Sequence, residues 1–373
     1  MQIKWLYVRN FRTFSELSVE FSPEINEIIG RNAQGKTSLL EAIYFCMTGG
    51  SFRTSTNREL IKHEQEGFFI ATGFEKEGER ISYELDISFD GTKRRILFNR
   101  RPCESISLLI GQLLGVTCTP EVQNLVKGSP NTRRHFLDLQ LAQIDPLYVH
   151  HLSRYGRALK QRNALLKARD MRTISAWEVE LSNSATYITL CRKKVVSKLS
   201  VWLKSFFREL SLDSTNATLD LFYDTKVTNA KGSSEDPEEI RNYFLQEYQR
   251  RRMQEQAFGS TLVGPHRDDL HFLRGTHAFR DFASEGEIRL AALSLKLAEW
   301  QQLKEHTQTN PILLIDDFAA YLDKERTRKL FEIISRFGQI FITAHAAASP
   351  EIQEQKKLKT FWIEQGKCIN SQA

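Results

Sequence analysis

Apolar and polar residues alternate in short runs over the first hundred positions, with the period of two that half-buried β-strands show. Two of these runs, Ile81–Ile87 and Arg95–Phe98, flank Asp90-Gly91, a pair typical of hairpin turns. The other runs are Ile3–Val8, Leu17–Phe21 and Phe68–Phe74. The first third of the chain is therefore predicted to be rich in β-strands.

The middle of the chain has a helical pattern instead. From about Pro120 glycines become scarce, and apolar residues recur every three to four positions through Asp145–Arg172 and Ala176–Leu210. Polar and turn-forming residues at Lys231–Pro237 predict a surface loop in this region. We expect a helical lobe here.

A mixed pattern of helices and strands returns in the last third. Helical spacing of leucines predicts a helix over Ile288–Glu299, and the apolar run Pro311–Asp317 predicts a buried parallel strand that ends in two carboxylates. A further strand is predicted at Ile340–Thr343, shortly before His345. The two ends of the chain thus share an α/β character that the middle lacks.

Composition narrows the class of protein only slightly. The chain has 373 residues and a formal net charge of +6, which permits a polyanionic partner without requiring one. No apolar stretch reaches the roughly 18 residues that a membrane helix needs. The five cysteines are far apart and show neither metal-site nor disulfide spacing. We expect a cytoplasmic protein with reduced thiols and no membrane association.

The most informative local motif is a phosphate-binding loop between a short apolar strand and a helical run. Its two glycines allow the backbone to curl around phosphates, so that consecutive N–H groups and the positive end of the following helix face them. The lysine is expected to reach the β- and γ-phosphates of a nucleoside triphosphate, and the threonine to give its hydroxyl to Mg²⁺. The loop residues are Gly30, Arg31, Asn32, Ala33, Gln34, Gly35, Lys36, Thr37 and Ser38.

The acidic pair Asp316-Asp317 supplies the second half of a magnesium site. An apolar strand that ends in two aspartates is weak evidence alone, but together with the loop it completes the arrangement of a phosphate-loop ATPase. Asp316 is expected to hold the metal with Thr37, and Asp317 to polarise the attacking water. ATP and Mg²⁺ are the predicted cofactors.

The order of the motifs indicates a split nucleotide-binding fold. About 280 residues separate Lys36 from Asp316, with the helical region between them. This arrangement is typical of ABC-type ATPases with inserted arms. The expected fold class is α/β: an ABC-type phosphate-loop ATPase head with a β-rich N-terminal part and an inserted α-helical arm. The expected divisions are 1–118 and 261–373 for the head and 119–260 for the arm.

ABC-type ATPases also carry a Ser-x-Gly-Gln signature at the start of the helix before the acidic strand. Ser284-Glu285-Gly286-Glu287 stands in that place. Its serine and helix N-terminus suit an anion, but Glu287 replaces the usual glutamine with a carboxylate that would repel phosphates. Turnover is therefore expected to be altered, and a plain helix start remains the alternative interpretation.

Several blocks of residues, in this order, resemble the RecF family of DNA recombination and repair proteins over essentially the whole chain. The Gly-Pro-His-Arg-Asp-Asp and Lys-Gly-Ser-Pro blocks are the specific ones, since the phosphate loop alone indicates only an ATPase. The matching blocks are Arg9–Arg12, Gly30–Ile43, Ser51–Thr54, Pro120-Glu121, Val126–Pro130 with Arg133-Arg134 and Phe136–Asp138, Lys160–Asn163, Gly264–Leu270, Leu314–Ala319 and Leu322-Asp323.

The resemblance implies a head related to those of Rad50 and the structural-maintenance-of-chromosomes proteins, with a short arm and no long coiled coil. It implies an ATP-dependent homodimer in which Ser284 of one copy meets the nucleotide held by the other. Such a dimer clamps gapped or duplex DNA at single-strand/double-strand junctions, and slow ATP hydrolysis by a weak ATPase releases it. RecO-type and RecR-type mediators are the implied protein partners, and loading of the recombinase RecA is the implied role.

The resemblance also suggests roles for individual residues. Asp323 resembles a residue that crosses the dimer interface, with a helix cap as the alternative. His345 lies in the region of a switch histidine that senses the γ-phosphate, with an ordinary histidine at a strand end as the alternative. Arg12 and Arg53 lie where relatives approach the nucleotide, with a solvated role as the alternative. For His266–Asp269 we expect hydrogen bonds that stabilise a turn.

DNA binding requires basic side chains on one continuous surface. No sequence-reading motif is present, so structure-selective binding is expected. The arm candidates are Arg133, Arg134, Arg154, Arg157, Lys160, Arg162 and Lys167, with Arg94 and Arg95 on the β-rich part. Two functions remain as alternatives to a DNA-binding repair ATPase. One is an ABC-type ATPase that couples ATP to a protein or transport partner, and the other is a nucleotide-binding scaffold with little hydrolysis.

Overall fold

The computed structural model describes residues 1–79, 81–103, 108–211, 218–227, 235–317, 322–345 and 358–372. The chain forms two compact units. The first comprises Met1–Val122, Phe206–Ala217 and Glu285–Ala373, and the second comprises Gln123–Ser205 and Thr218–Ser284. The first unit is thus assembled from both ends of the chain.

The first unit contains an antiparallel sheet in the strand order β2-β1-β4-β5-β6-β7. The alternating residues of the N-terminal third form it: β2 and β5 bury one face and leave the other more open to solvent, whereas β4 is mostly buried. A turn of 3₁₀ helix, Asn57–Leu60, precedes β4. The strands are β1 (Gln2–Phe11), β2 (Phe14–Glu20), β4 (Phe68–Glu75), β5 (Ser82–Phe89), β6 (Arg94–Phe98) and β7 (Arg101–Pro102).

A second six-stranded sheet in this unit has the order β15-β14-β3-β13-β12-β8. Its strands are parallel except for β15, which pairs antiparallel with β14. All five residues of β3 and of β12 are buried, as expected for strands covered on both faces, although β3 includes the polar residues Asn26 and Glu27. The strands are β3 (Ile25–Ile29), β8 (Gly115–Cys118), β12 (Ile312–Asp316), β13 (Ile340–Ala344), β14 (Leu358–Glu364) and β15 (Lys367–Gln372).

Helix α1 (Lys36–Thr48) packs against strands of both sheets and joins their cores. Leu39, Leu40, Ile43 and Phe45 are completely buried in the hydrophobic cluster that both sheets share. Two further helices belong to this unit, α7 (Glu285–Thr307) and α8 (Lys324–Ile334). The apolar packing therefore holds the first turn of α1 in a set position relative to the parallel sheet.

The second unit is mainly helical, as the spacing in the middle of the chain predicts. Its three strands, β9 (Asp220–Asp224), β10 (Asp269–Arg274) and β11 (His277–Ala278), form an antiparallel sheet. Short 3₁₀ segments lie at Pro120–Gln123 and Phe279–Asp281. The helices are α2 (Asn124–Lys127), α3 (Pro130–Ile144), α4 (Pro146–Ala168), most of α5 (Ile174–Leu210) and α6 (Pro237–Phe258).

The sequence-based divisions of the chain remain a prediction. The stretch from 261 to 284, which we expected in the head, belongs to the second compact unit. The reason is strand pairing, because β10 pairs antiparallel with β9 from Asp269↔Asp224 to Leu273↔Asp220. Of the predicted loop at Lys231–Pro237, residues 231–234 lie outside the described residues.

A buried ionic network lies at the centre of the second unit. The Arg162 side chain has no solvent exposure, and its guanidinium lies 3.0 Å from Glu178 Oε1 and 2.7 Å from Glu255 Oε2. It also donates to Thr261 Oγ1 at 2.9 Å and lies 5.0 Å from the ring centre of Tyr248. A buried charge is tolerated only when it is paired and hydrogen-bonded in this way.

The Gly-Pro-His-Arg-Asp-Asp block joins separate elements of the second unit, which goes beyond the turn-stabilising role expected from sequence. His266 Nδ1 lies 2.5 Å from the Tyr155 hydroxyl of α4, and burial lowers the pKa of His266 to about 4. Tyr223 of β9 donates to Asp268 at 2.6 Å, and burial raises the pKa of that carboxyl to about 6. The block therefore connects a helix, a strand and the segment between them.

Two of the predicted DNA contacts are buried in the second unit, and the expectation is wrong for them. Arg162 lies in the network described above. Arg133 is 3% exposed and forms a bidentate pair with Asp269, at 2.7 and 2.8 Å. Neither guanidinium is open to a phosphate backbone. Sequence spacing showed both to be basic residues on helices, but it could not show which helical face packs inward.

We predict that Arg162→Ala lowers the free energy of unfolding by about 3–5 kcal/mol, because it leaves Glu178 and Glu255 buried without their shared cation. Urea denaturation followed by circular dichroism measures this change. Arg157→Ala on the exposed side of the same helix is the matched control, and we expect a change within about 0.5 kcal/mol. Equal unfolding midpoints for the two variants would contradict the structural role of Arg162.

Candidate nucleotide-binding site

The phosphate loop connects the end of β3 at Ile29 to the start of α1 at Lys36. Gly35 caps the helix with φ +116°, a conformation that other residues rarely adopt. A Cβ atom at this position would lie 2.7 Å from Thr13 Oγ1 and 3.1 Å from the Phe14 ring. The second glycine of the motif is therefore required both by backbone conformation and by space.

The loop borders a cavity of about 320 Å³. Asp316, the last residue of β12, and Asp317, which follows it, line the same cavity, so the loop and the acidic pair lie together. The lining residues are Thr13, Arg31, Asn32, Ala33, Gln34, Gly35, Lys36, Thr37, Ser38, Arg53, Asp316 and Asp317.

Lys36 is 7% exposed and folds back onto its own loop. Its Nζ donates to the carbonyl of Gly30 at 2.5 Å and to that of Arg31 at 3.2 Å. Burial lowers the pKa of Lys36, against the opposing effect of Asp317 and Asp316. An ammonium group has three donors, so one N–H remains to meet a further anion in the cavity.

Two hydroxyl groups hold the Asp316 carboxylate. Thr37 Oγ1 donates to Asp316 Oδ1 at 3.0 Å, and Thr343 Oγ1 donates to the same oxygen at 2.7 Å. Burial raises the pKa of Asp316, which is 6% exposed. A hydroxyl and a carboxylate at hydrogen-bond distance are the oxygen donors that Mg²⁺ takes from a protein while it keeps waters and phosphates as its other ligands. The donor set therefore fits magnesium.

Asp317 adopts a left-handed conformation, with φ +47°. Its backbone N–H donates to Thr343 Oγ1 at 2.9 Å, and its Oδ2 lies 3.0 Å from Nε2 of His345. Such a conformation in a residue other than glycine persists only where the surroundings hold it. The strand end thus turns sharply, and the second carboxylate and the predicted switch histidine come together at the cavity edge.

Sequence reasoning missed Thr343, which appeared there only as a strand residue. One hydroxyl donates to Asp316 and accepts from the N–H of Asp317, and Thr343 is 1% exposed. A hydroxyl residue at the end of a buried parallel strand was the available signal. Its meaning depends on β13 lying next to β12, where Asp316 and Thr343 are paired in register.

Only one of the two arginines expected near the nucleotide lines the cavity. Arg12 forms a bidentate pair with the completely buried Glu41 of α1, at 2.8 and 2.7 Å, and does not line the cavity. Arg53 lines the cavity, and its NH1 lies 3.8 Å from the same carboxylate. Ser51 also donates to Glu41, at 2.5 Å. Arg12 and Glu41 therefore support the segment that carries Arg53.

The signature segment lies at a boundary between units. Ser284 is the last residue of the second unit and is exposed, and Glu287 lies half-buried in the first turn of α7. Their action on a nucleotide held by a second copy stays a prediction. Asp323 caps α8 by accepting from the N–H of Arg326 at 2.8 Å, so the helix-cap alternative is present; the interface role remains a prediction. Phe318 and Ala319 lie outside the described residues.

The remaining candidate DNA-binding residues differ in their exposure and in whether they are already paired within the protein. Arg134 is half-buried and donates to the Asp268 carbonyl at 2.6 Å. Arg154 pairs with Glu180. Arg157, Lys160 and Lys167 are exposed, and none of them forms an ion pair among the residues that the structure describes. In the first unit, Arg94 is half-buried and donates to the Gly49 carbonyl, whereas Arg95 is exposed.

Comparison with known proteins agrees with this geometry. The model of the RecF/RecN/SMC N-terminal domain matches residues 2–368. A DNA replication and repair protein RecF from Protochlamydia amoebophila is 41% identical over 344 residues, covering 92% of this chain and 94% of its own. A RecF from Bacillus cytotoxicus is 36% identical over 370 residues, covering 98% of each chain.

A solved structure described as the recombination mediator protein RecF-ATP in the RecFOR pathway superposes with a TM-score of 0.90 at 29% identity, covering 100% of this chain and 97% of its own. The Smc head domain from Pyrococcus furiosus superposes with a TM-score of 0.57 at 16% identity, covering 100% of this chain and 96% of its own, a likeness of fold alone.

The parallel sheet, the phosphate loop and the acidic strand define an ABC-type phosphate-loop ATPase head. Within that class, the chain belongs to the RecF family of DNA replication and repair proteins. Both the fold class and the family resemblance found in the sequence are thereby confirmed. Among the described residues, no helix is long and apolar enough to span a membrane.

We predict that Thr343→Val raises the Mg²⁺ concentration needed for half-maximal binding of a fluorescent ATP analogue by about 10- to 100-fold, because the partner that orients Asp316 is lost. Thr343→Ser keeps the hydroxyl and is the matched control, with an expected change of less than about threefold. A valine variant with the wild-type Mg²⁺ dependence would show that this hydroxyl does not position the carboxylate.

Proposed function

We propose that this chain is an ATP-dependent DNA-binding protein of recombinational repair and replication restart. Two copies pair when ATP is bound and hold gapped or junction DNA, and slow hydrolysis releases it. The proposal depends mainly on one observation: a single cavity is lined by Lys36, Thr37, Asp316 and Asp317. Membership in a family of DNA repair proteins supports the DNA part.

The site residues have distinct proposed roles towards Mg²⁺-ATP. The loop N–H groups and the free N–H of Lys36 hold the phosphates, and Thr37 and Asp316 hold the metal. Magnesium, when bound, neutralises charge on the β- and γ-phosphates. A relative described as RecF-ATP supports the choice of nucleotide.

Asp317 and His345 are proposed to handle the attacking water. The carboxylate can accept a proton from a water at the cavity edge, and His345 orients it through the 3.0 Å contact. Both side chains are partly exposed, 28% for Asp317 and 46% for His345. A base that is incompletely shielded from solvent is consistent with the slow hydrolysis proposed above.

The proposed pairing of two copies is supported by the family resemblance and by the composition of the cavity in one copy. The lining residues come from the loop, Arg53 and the acidic pair, and they do not include Ser284. We propose that Ser284 and the start of α7 contribute to the nucleotide of the second copy, as the family resemblance implies. Glu287 lies in that first turn, and its negative charge is proposed to slow turnover.

The DNA surface is proposed to centre on Arg157, Lys160 and Lys167 of α4. These exposed cations lie on one helix at spacings of three to ten residues, and they form no ion pair among the described residues. Lysines and arginines that are not already neutralised gain most from phosphates, because each contact releases counterions. Binding is therefore proposed to depend on DNA structure and on salt rather than on base sequence.

The cellular context is proposed from the relatives. A solved relative is described as a recombination mediator in the RecFOR pathway, which supports RecO-type and RecR-type partners and a role in helping to load RecA. We propose that the chain works in the cytoplasm, where bacterial DNA lies. In the described part of the chain none of the five cysteines forms a disulfide bond, which is compatible with a reducing compartment.

We predict that Asp317→Asn slows ATP hydrolysis by about 10²- to 10⁴-fold, because the amide cannot accept the proton of the water. The same variant should stay on gapped DNA longer in ATP, measured by the dissociation of labelled DNA after a competitor is added. ATP affinity serves as the internal control and should change little. Hydrolysis at the wild-type rate would remove Asp317 from the water-activating role.

We predict that the double reversal Arg157→Glu/Lys160→Glu weakens DNA binding and lowers the slope of log affinity against log salt by about two. ATP binding should be unaffected. Lys194→Glu/Lys198→Glu on α5 makes the same change in net charge at two exposed positions and is the matched control. If both double variants lose the same affinity, total charge rather than this surface attracts DNA.

A further inference from the structure

A pocket of about 600 Å³ lies between α4 and α5 of the second unit, well apart in sequence from the nucleotide loop. Helix α4 contributes Arg154, Arg157, Lys160 and Gln161. Helix α5 contributes Trp177 and Glu180. A volume in this range is typical of pockets that hold small organic ligands or parts of larger ones.

Only some of the charged side chains that line this pocket are paired with each other. Glu180 pairs with Arg154, and that pairing holds the pKa of the carboxyl below its usual range. Arg157 and Lys160 are exposed, and neither makes an ion pair or hydrogen bond with any residue that the structure describes. Arg154, Arg157 and Lys160 face only one carboxylate in this lining, Glu180, so the pocket has an excess of positive charge for an outside partner.

Trp177 gives the pocket an aromatic wall. It is half-buried, and its indole N–H has no hydrogen-bond acceptor in the described part of the chain. A tryptophan that packs for stability usually buries its ring and satisfies its N–H. Trp300 does so here, since it is 1% exposed, stacks on Phe337 and donates to the Pro311 carbonyl at 2.7 Å. Trp177 is open to a ligand by comparison.

An aromatic face next to two unneutralised cations matches the chemistry of a nucleotide in single-stranded DNA. A base can stack on the ring, and its flanking phosphates can meet the cations. An acidic peptide would satisfy the cations but would leave the flat ring without a matching surface. A base that is paired inside a duplex cannot enter such a pocket without leaving the stack.

We propose that the pocket between α4 and α5 holds an unpaired nucleotide of gapped DNA. Its base stacks on Trp177, and its phosphates contact Arg157 and Lys160. This inference rests on the proposed DNA-binding function and adds the reason why a gap is distinguished from plain duplex. The cations supply affinity for any DNA, whereas the tryptophan supplies the preference for an unpaired base.

The test uses the full chain with ATP and Mg²⁺. Gapped DNA carries the fluorescent base 2-aminopurine at a single-stranded position beside the junction, and a second substrate carries it within the duplex. In the wild-type protein, stacking on Trp177 should quench the junction probe and leave the duplex probe unchanged. This measurement needs no variant, so a folding defect cannot obscure it.

Variants of Trp177 test whether stacking contributes to the binding of gapped DNA. Trp177→Ala should abolish the quenching and weaken binding of gapped DNA by about 5- to 100-fold, with duplex affinity within about twofold. Trp177→Phe keeps an aromatic ring and should retain most of the affinity. Trp362→Ala removes a tryptophan of β14 that is 43% exposed and lies outside this pocket, and it is the control, with no expected change.

The outcomes distinguish the pocket from the broader function. If Trp177→Ala loses gapped and duplex DNA equally, or loses neither, the pocket assignment fails while DNA binding stands. If an oligo-glutamate peptide binds in a Trp177-dependent way and gapped DNA does not, the pocket belongs to an acidic protein partner and the assignment also fails. If the wild-type chain with ATP binds no DNA, the proposed function fails and the assignment fails with it.

Discussion

The site depends on the single carboxylate of Asp316, which links parts of the chain that are 279 residues apart through its contact with Thr37. The phosphate loop and α1 come from the N-terminal part, whereas β12 and β13 come from the C-terminal part. Thr37 and Thr343 donate to the same oxygen from the two sides. Because the carboxylate is buried, loss of either donor would leave an undersatisfied charge beside the place where magnesium is proposed to bind.

Several other features follow from that link. The Thr343 hydroxyl also accepts a hydrogen bond from the N–H of Asp317. The same hydroxyl therefore orients Asp316, the proposed metal ligand, and holds the left-handed turn at Asp317, the proposed base. Glu41 has a comparable role on α1. Arg12 forms a bidentate pair with its carboxylate, whereas Arg53 at the cavity lies 3.8 Å from the same carboxylate. The parallel sheet and α1 thus hold the proposed nucleotide site, whose remaining contributions are proposed to come from a second copy.

Local patterns predicted much of this arrangement. The alternating runs of the N-terminal third correspond to strands, and the helix after the phosphate loop and the strand before Asp316 were both anticipated. Burial of Arg162 and Arg133 was not anticipated, because carboxylate partners of theirs lie far away in sequence: Asp269 is 136 residues from Arg133, and Glu255 is a distant partner of Arg162. Thr343 and β14 were missed for the same reason, since their importance depends on which strands are neighbours and not on local pattern.

The central claim is that ATP at this site assembles two copies on DNA. Sedimentation velocity of the wild-type chain with labelled gapped DNA, with and without Mg²⁺-ATP, tests it most directly. The account predicts a complex of two copies with one DNA in the presence of ATP, and a free chain that binds DNA weakly in its absence. DNA binding by a single copy with the same affinity in both conditions would contradict it.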